Sequence, residues 1–262
     1  IKPVGGSLWW RSMRVITIAN QKGGCGKTTT AVNLAVALSQ KGLRVLLIDL
    51  DPQAHATLGL GYDPAKLEQT IYNCLTNKDI PISEIIISTK TEGLDMAPSN
   101  ILLASVGLAP VIVSEKEFAL YDRLKEIEDE YDICVLDCPP SLELLTLNAL
   151  VASTGIIVPV QAHYYALEGL KLLLETVKNT RRRFYPSPVT ILGLLLTFVE
   201  DKAALNQQVE QQMRKFFGDL VFKTIIHNSI DLAEAPSAGQ SILTYAPKSK
   251  AATEYGALAQ EV

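Results

Sequence analysis

Short aliphatic runs recur along this chain, separated for the most part by helical patterns. The runs are RVITIAN (14–20), RVLLIDL (44–50), YDICVLD (131–137), GIIVPV (155–160), VTILGLLLTF (189–198) and LVFKTII (220–226). None alternates apolar with polar residues, which is the pattern of strands covered on both faces. Helical patterns fall at 28–41, 115–129, 142–152, 165–183 and 203–217. This alternation predicts an α/β fold: a single-domain, doubly wound, mostly parallel sheet flanked by helices, with its ligands at the carboxyl ends of the strands. At 262 residues and 48% hydrophobic, the chain is long enough to bury such a core. Segment 62–113 shows no regular pattern. Residues 1–12 (IKPVGGSLWWRS) precede Met13 and are read as an appended leader, so the domain is expected over 13–262.

The first run leads into the first helix through ANQKGGCGKTTTAVNL, residues 19–34. Gly23, Gly24 and Gly26 let the backbone turn its N–H groups inward around phosphate oxygens, and the helix beginning near Thr28 adds its positive end. Lys27 is placed to reach the β- and γ-phosphates of a nucleotide, and the Thr28 hydroxyl to ligate Mg²⁺. The general phosphate-loop pattern has a leading glycine where this chain has Gln21, and directly after it stands a second cation, Lys22. A P-loop NTPase-like domain binding ATP and Mg²⁺ is the expectation.

Two acidic strand ends complete the pattern. Asp137 closes the buried run of ICVLDCPPS, where a carboxylate is expensive without a cation, so it is expected behind the metal, through water. Asp49 and Asp51 alternate off the end of the second run in LLIDLDPQ, and spacing alone leaves open which of them faces the reacting phosphate.

A net charge of −4 gives no global positive field for nucleic acid or membrane, so any such binding needs a local patch. The cysteines Cys25, Cys74, Cys134 and Cys138 form no C-x-x-C pair, are read as buried small residues, and suit a reducing, cytoplasmic setting. The apolar stretch 142–160 contains Glu143, Asn148 and Pro159 and divides into helix and strand, which argues against a membrane span.

K-G-G-x-G-K-T-T (22–29), DLDPQ after the second run and DCPPS at the third acidic site together resemble the ParA/Soj partition ATPases of the deviant Walker A superfamily, which also includes MinD. PVQAHYYALEGL (159–170) and DLAEAPSAGQSILTYAPKSKAATEY (231–255) extend the resemblance from about Met13 to the last residues. The resemblance implies a slow, partner-stimulated ATP hydrolase that works as a homodimer with ATP sandwiched at the interface. It makes Lys22 the signature lysine that crosses to the partner's phosphates. The nucleotide loop is then Lys22, Gly23, Gly24, Cys25, Gly26, Lys27, Thr28 and Thr29. Asp51 matches the residue that orients the attacking water, with Asp49 in support, and the adenine loop matches His227 to Ser229.

The resemblance further implies a ParB-like activator, non-specific DNA binding, and a cytoplasmic, nucleoid-associated location. Lys202, Lys223, Lys248 and Lys250 are the candidate DNA contacts, whereas Asp231 stands where relatives often carry arginine. The run RRR (181–183) is read as a cationic helix end answering the dipole. Three rivals follow: a DNA-independent cargo-positioning ATPase, a MinD-like membrane-positioning ATPase, and an electron-transfer protein of the nitrogenase iron-protein kind. The short acidic tail ATEYGALAQEV argues against the second, and the placing of Cys134 and Cys138 on one strand argues against the third.

Overall fold

The computed structural model describes residues 13–107, 116–162, 166–184, 188–200 and 204–262. In chain order the elements are β1 (Arg14–Ile18), α1 (Lys27–Ser39), β2 (Val45–Asp49), α2 (His55–Gly59), α3 (Ile71–Thr76), α4 (Ile82–Ile85), β3 (Ile87–Ser88), β4 (Leu94–Ala97) and α5 (Ala119–Lys125). They continue with β5 (Ile133–Asp137), α6 (Leu144–Ala152), β6 (Gly155–Gln161), α7 (Ala166–Arg183), β7 (Thr190–Thr197), α8 (Ala204–Phe217), α9 (Ile230–Glu234), α10 (Ile242–Tyr245) and α11 (Lys250–Glu261). Among the described residues the sheet has seven strands in the order β3-β4-β2-β5-β1-β6-β7. Every pairing is parallel except that of the short edge strand β3 with β4. The chain leaves β1 towards β2 on one side and later reaches β6 on the other. The β1–β5 centre of the sheet is therefore where the winding reverses, and in such folds the crevice beyond the strand ends there receives the ligand.

The period of two along each strand sorts the apolar side chains into two cores. Ile16 and Ile18, Val45 and Leu47, and Ile133 and Val135 face α1 and α11. Val15, Leu46 and Ile48, and Cys134 and Leu136 face the layer that contains α3, α5 and α6. Helix α1 is buried everywhere except at Thr28 and Thr29, because it is sandwiched between the sheet and α11.

The structure departs from the sequence expectation in two places. The run 220–226 is not a strand. It lies alongside β7 and forms isolated bridges, Leu194 with Val221 and Val199 with His227, with Phe222 N–H donating to the Leu194 carbonyl (3.0 Å) and Ile226 N–H to the Leu196 carbonyl (2.9 Å). The ladder is broken between these contacts, where side chains take the backbone groups: Glu261 accepts from Lys223 N–H (2.9 Å) and Thr224 N–H (2.7 Å), and Arg214 donates to the Phe222 carbonyl (3.2 Å). Phe222 itself lies against Gly193, where a Cβ would meet its ring at 2.5 Å. In the segment 62–113, the described residues to 107 hold α3, α4, β3 and β4. Their strands are too short, and β4 (LDMA) too polar, to announce themselves in the sequence.

The last part of the chain closes over α1 and α2. Asn33 accepts from Ile242 N–H (2.7 Å), and Gly61 and Gly239, both at positive φ, meet backbone to backbone. A Cβ at Gly239 would stand 2.6 Å from the Gly61 Cα, in a left-handed conformation (φ +65). Gly239→Ala is therefore expected to destabilise the protein by about 1–3 kcal/mol, read as a lower denaturation midpoint with unchanged slope.

Candidate active site

The cleft beyond the central strand ends is lined by Gly23, Gly24, Gly26, Lys27, Thr28 and Thr29 from the loop and first helical turn, together with Asp51, Gln53, His55, Pro140 and Phe198. The loop is held from three sides. Asn20 donates to the Pro159 carbonyl (2.7 Å) and accepts from Lys22 N–H (3.1 Å). Thr197 donates to the Cys25 carbonyl (2.9 Å), and the Phe198 ring lies 3.3 Å from where a Gly26 side chain would begin. Gly24 (φ 70) and Gly26 (φ 85) take the left-handed backbone that turns the chain into α1. That helix begins without a side-chain cap, so its first N–H groups are left for an external acceptor.

Charge inside the cleft is unbalanced in a specific way. Lys27 is buried (7% exposed), yet among the described residues its ammonium has no carboxylate partner and rests on the Lys22 carbonyl (3.1 Å). Asp137 is fully buried, and among the described residues neither of its oxygens completes a hydrogen bond. Burial, and then the Asp49 charge beside it, push the Asp137 carboxyl well above the usual carboxylate range, opposed by the Thr28 hydroxyl and Lys27. A buried, unpartnered carboxylate near a hydroxyl and a lysine is a fitting seat for a divalent cation under phosphate.

Asp49 and Asp137 are registered neighbours on β2 and β5. Asp49 is nevertheless satisfied, accepting from Asp51 N–H (3.1 Å) and from the Thr57 N–H (2.9 Å) and hydroxyl (2.8 Å). Burial still pushes its carboxyl up to about 6. Asp51, in contrast, lines the cleft, with its carboxylate accepting from Gln53 N–H (2.9 Å). Geometry thus separates two aspartates that spacing left equivalent.

The other expected site residues are distributed as follows. Lys22 is exposed, and among the described residues its ammonium has no partner. Cys25 is buried in the loop, donating to the Lys22 carbonyl (3.1 Å). All four cysteines are free and buried, and burial pushes each thiol up. His227 pairs through its ring and its N–H with Glu254, and Ser229 caps α9; neither lines the cleft. Lys223, Lys248 and Lys250 are exposed, Lys250 lying 4.0 Å from Glu254, and Lys202 falls outside the described residues. Arg181, Arg182 and Arg183 occupy the last turn of α7, with Arg183 ion-paired to Glu117. Sequence reasoning missed Phe198, Gln53, His55 and Pro140; each follows a strand, which is the signal that marks a ligand-facing position in this architecture.

A doubly wound parallel sheet carrying a glycine-rich loop, a buried lysine and acidic strand ends defines a P-loop nucleotide hydrolase. Residues 13–188 match the family described as AAA domain. The chain is 45% identical over 249 residues to the sporulation initiation inhibitor protein Soj of Bacillus subtilis, covering 95% of this chain and 98% of the relative. It is 41% identical over 258 residues to the chromosome partitioning protein ParA of Myxococcus xanthus, covering 98% and 90%. Among solved structures it resembles cobyrinic acid a,c-diamide synthase from Mycobacterium smegmatis with bound ATP analog and magnesium (TM-score 0.79, 30% identity, 95% and 93% covered). It also resembles the septum site-determining protein MinD complexed with Mg-ADP from Pyrococcus horikoshii (TM-score 0.77, 26% identity, 95% of each chain). The chain belongs to the ParA/Soj family of partition ATPases.

Asp49 yields a pH prediction. Its carboxyl binds a proton more tightly folded than unfolded, so between its ordinary 3.8 and about 6 the folded, ligand-free protein holds more protons than the unfolded chain. Stability from this group is therefore present below that window and is lost as pH rises through it. Calorimetry of Asp49→Asn should show this part of the decline in Tm removed.

Proposed function

We propose that the protein is a MgATP-dependent switch for partition, in which two copies close on ATP and hydrolysis, accelerated by a ParB-like activator, reopens them. The observation that carries this reading is a buried lysine with no carboxylate partner among the described residues, Lys27, and a buried carboxylate with no completed hydrogen bond, Asp137, which the Thr28 hydroxyl and Lys27 both influence. Lys27 leaves the Lys22 carbonyl for the β- and γ-phosphates, whose remaining oxygens take the N–H groups of the loop and first turn. Thr28 and Asp137 would hold Mg²⁺, which would supply positive charge against that gathering on the phosphates during hydrolysis. Asp51, on the cleft wall, orients the attacking water. Lys22, exposed and unengaged, reaches the phosphates bound by the second copy, and the loop at His227 to Ser229 receives the base.

Non-specific DNA binding by Lys223, Lys248, Lys250 and Lys202, and a cytoplasmic, nucleoid-associated location, belong to the same proposal. Among the described residues no helix is long and apolar enough to cross a membrane. The exposed Asp231 on α9 favours a second reading, a positioning ATPase that does not use DNA.

The switch is tested by Lys22→Ala and Asp51→Ala. Lys22→Ala should keep nucleotide affinity in the monomer but lose ATP-dependent dimerisation, measured by sizing with a non-hydrolysable analogue. Asp51→Ala should bind ATP, fail to hydrolyse it and accumulate as dimer, since a water-orienting group acts in the transition state. Wild-type turnover in both variants would overturn the assignment.

For DNA, a low-salt shift assay with ATP, Asp51→Ala protein and random duplex should give retardation that falls steeply with salt and strengthens in Asp231→Arg. No retardation at micromolar protein would favour the second reading.

A further inference from the structure

Four buried polar residues close a hydrogen-bonded ring behind the cleft. Asp51 N–H donates to Asp49 Oδ1 (3.1 Å), and Thr57 donates to Asp49 Oδ2 from its N–H (2.9 Å) and its hydroxyl (2.8 Å). Ser99 N–H donates to Thr57 Oγ1 (3.0 Å), and the Ser99 hydroxyl donates to the Asp51 carbonyl (2.8 Å). Asp49, Thr57 and Ser99 are wholly inaccessible and Asp51 is 7% exposed.

The proton positions in this ring are determined. The partner of Ser99 Oγ is a carbonyl, so the hydroxyl must donate. Thr57 Oγ1 accepts from an N–H, which leaves its own proton for Asp49. The peptide groups on both sides of Asp51 are thereby held in opposite directions, one by Asp49 and the other by Ser99. The Asp51 carbonyl also accepts from Ala54 N–H (2.8 Å), and Ala54 sits in the left-handed region (φ 54). A turn in this strained conformation persists only where its surroundings over-determine it.

We infer that Thr57 and Ser99 are positioning residues for hydrolysis, fixing the backbone of Asp51 so that its carboxylate is aimed at the attacking water. The inference rests on the role given to Asp51 above. Neither hydroxyl lines the phosphate cleft, so neither acts on substrate directly. Ser99 lies two residues beyond β4, in the stretch of chain where the sequence shows no pattern, and it reaches the site only because β4 pairs with β2. Loss of one restraint frees the carboxylate to leave its productive orientation, and small misplacements of a reacting group are magnified in rate.

The test is steady-state ATPase kinetics on the full chain. Ser99→Ala should lower kcat about tenfold, the effect of about 1.4 kcal/mol on the barrier, with nucleotide affinity and Tm near wild type. Thr57→Ser, which keeps the hydroxyl, should retain most of the turnover, and Thr57→Val should lose it. Ser99→Ala combined with Asp51→Asn should be no slower than Asp51→Asn alone, because the restraint has no other target. Should Ser99→Ala fail to fold, Ser99→Cys supplies the same comparison with a weaker donor. An inactive Asp51→Asn beside a Ser99→Ala of wild-type kcat overturns the positioning role alone. So does a loss in Ser99→Ala that appears equally in nucleotide binding and Tm. An Asp51→Asn of wild-type rate overturns the role of Asp51 itself.

Discussion

Two carboxylates end neighbouring central strands at the same level, and much of the site follows from how that repulsion is accommodated. Asp49 is stabilised from within the fold, by the Thr57 hydroxyl and two backbone N–H groups. Asp137, its partner in register, receives no completed hydrogen bond. The protein thus spends its internal donors on one acid and leaves the other for a ligand. Turning the 49–54 loop around Asp49 is also what presents Asp51 to the cleft, so the hydrolytic candidate depends on the buried acid beneath it.

The two lysines of the phosphate loop illustrate how environment assigns roles to identical side chains. Lys27 opens a buried helix and folds back onto a loop carbonyl, a weak substitute for an anion. Lys22 lies in the same loop with its carbonyl engaged and its side chain in solvent. A cation that is already buried is suited to a ligand inside its own subunit, and one left outside is suited to something that arrives.

Most of the sheet and the phosphate loop were legible because their signals are local: unbroken aliphatic runs, glycines at a turn, and an aspartate closing a strand. What failed was non-local. The run 220–226 has strand composition, but Glu261 and Arg214 capture the Lys223 and Thr224 N–H groups and the Phe222 carbonyl, and Phe222 needs the bare Gly193. The strand β4 is four residues long and contains Asp95, whose carboxylate is met by the Tyr131 hydroxyl (2.9 Å) from a distant part of the chain. Spacing left Asp49 and Asp51 equivalent; the resemblance set them apart, and the physical difference between them, Thr57 on one and Ser99 behind the other, is made by residues distant in sequence.

The burial of α1 bears on the order in which this chain becomes competent. Its outer face is covered by α11, with Thr30 meeting the Tyr255 hydroxyl (3.5 Å) and Leu258 packed into the same core. The helix that carries the phosphate loop and the helix that covers it are separated by about two hundred residues of chain. On the ribosome, then, the aliphatic flank of α1 stays open to its surroundings until α11 has been made. The nucleotide site rests on a closed core only from that point, so a chain stalled between the two helices is exposed to chaperones and proteases while still unable to switch.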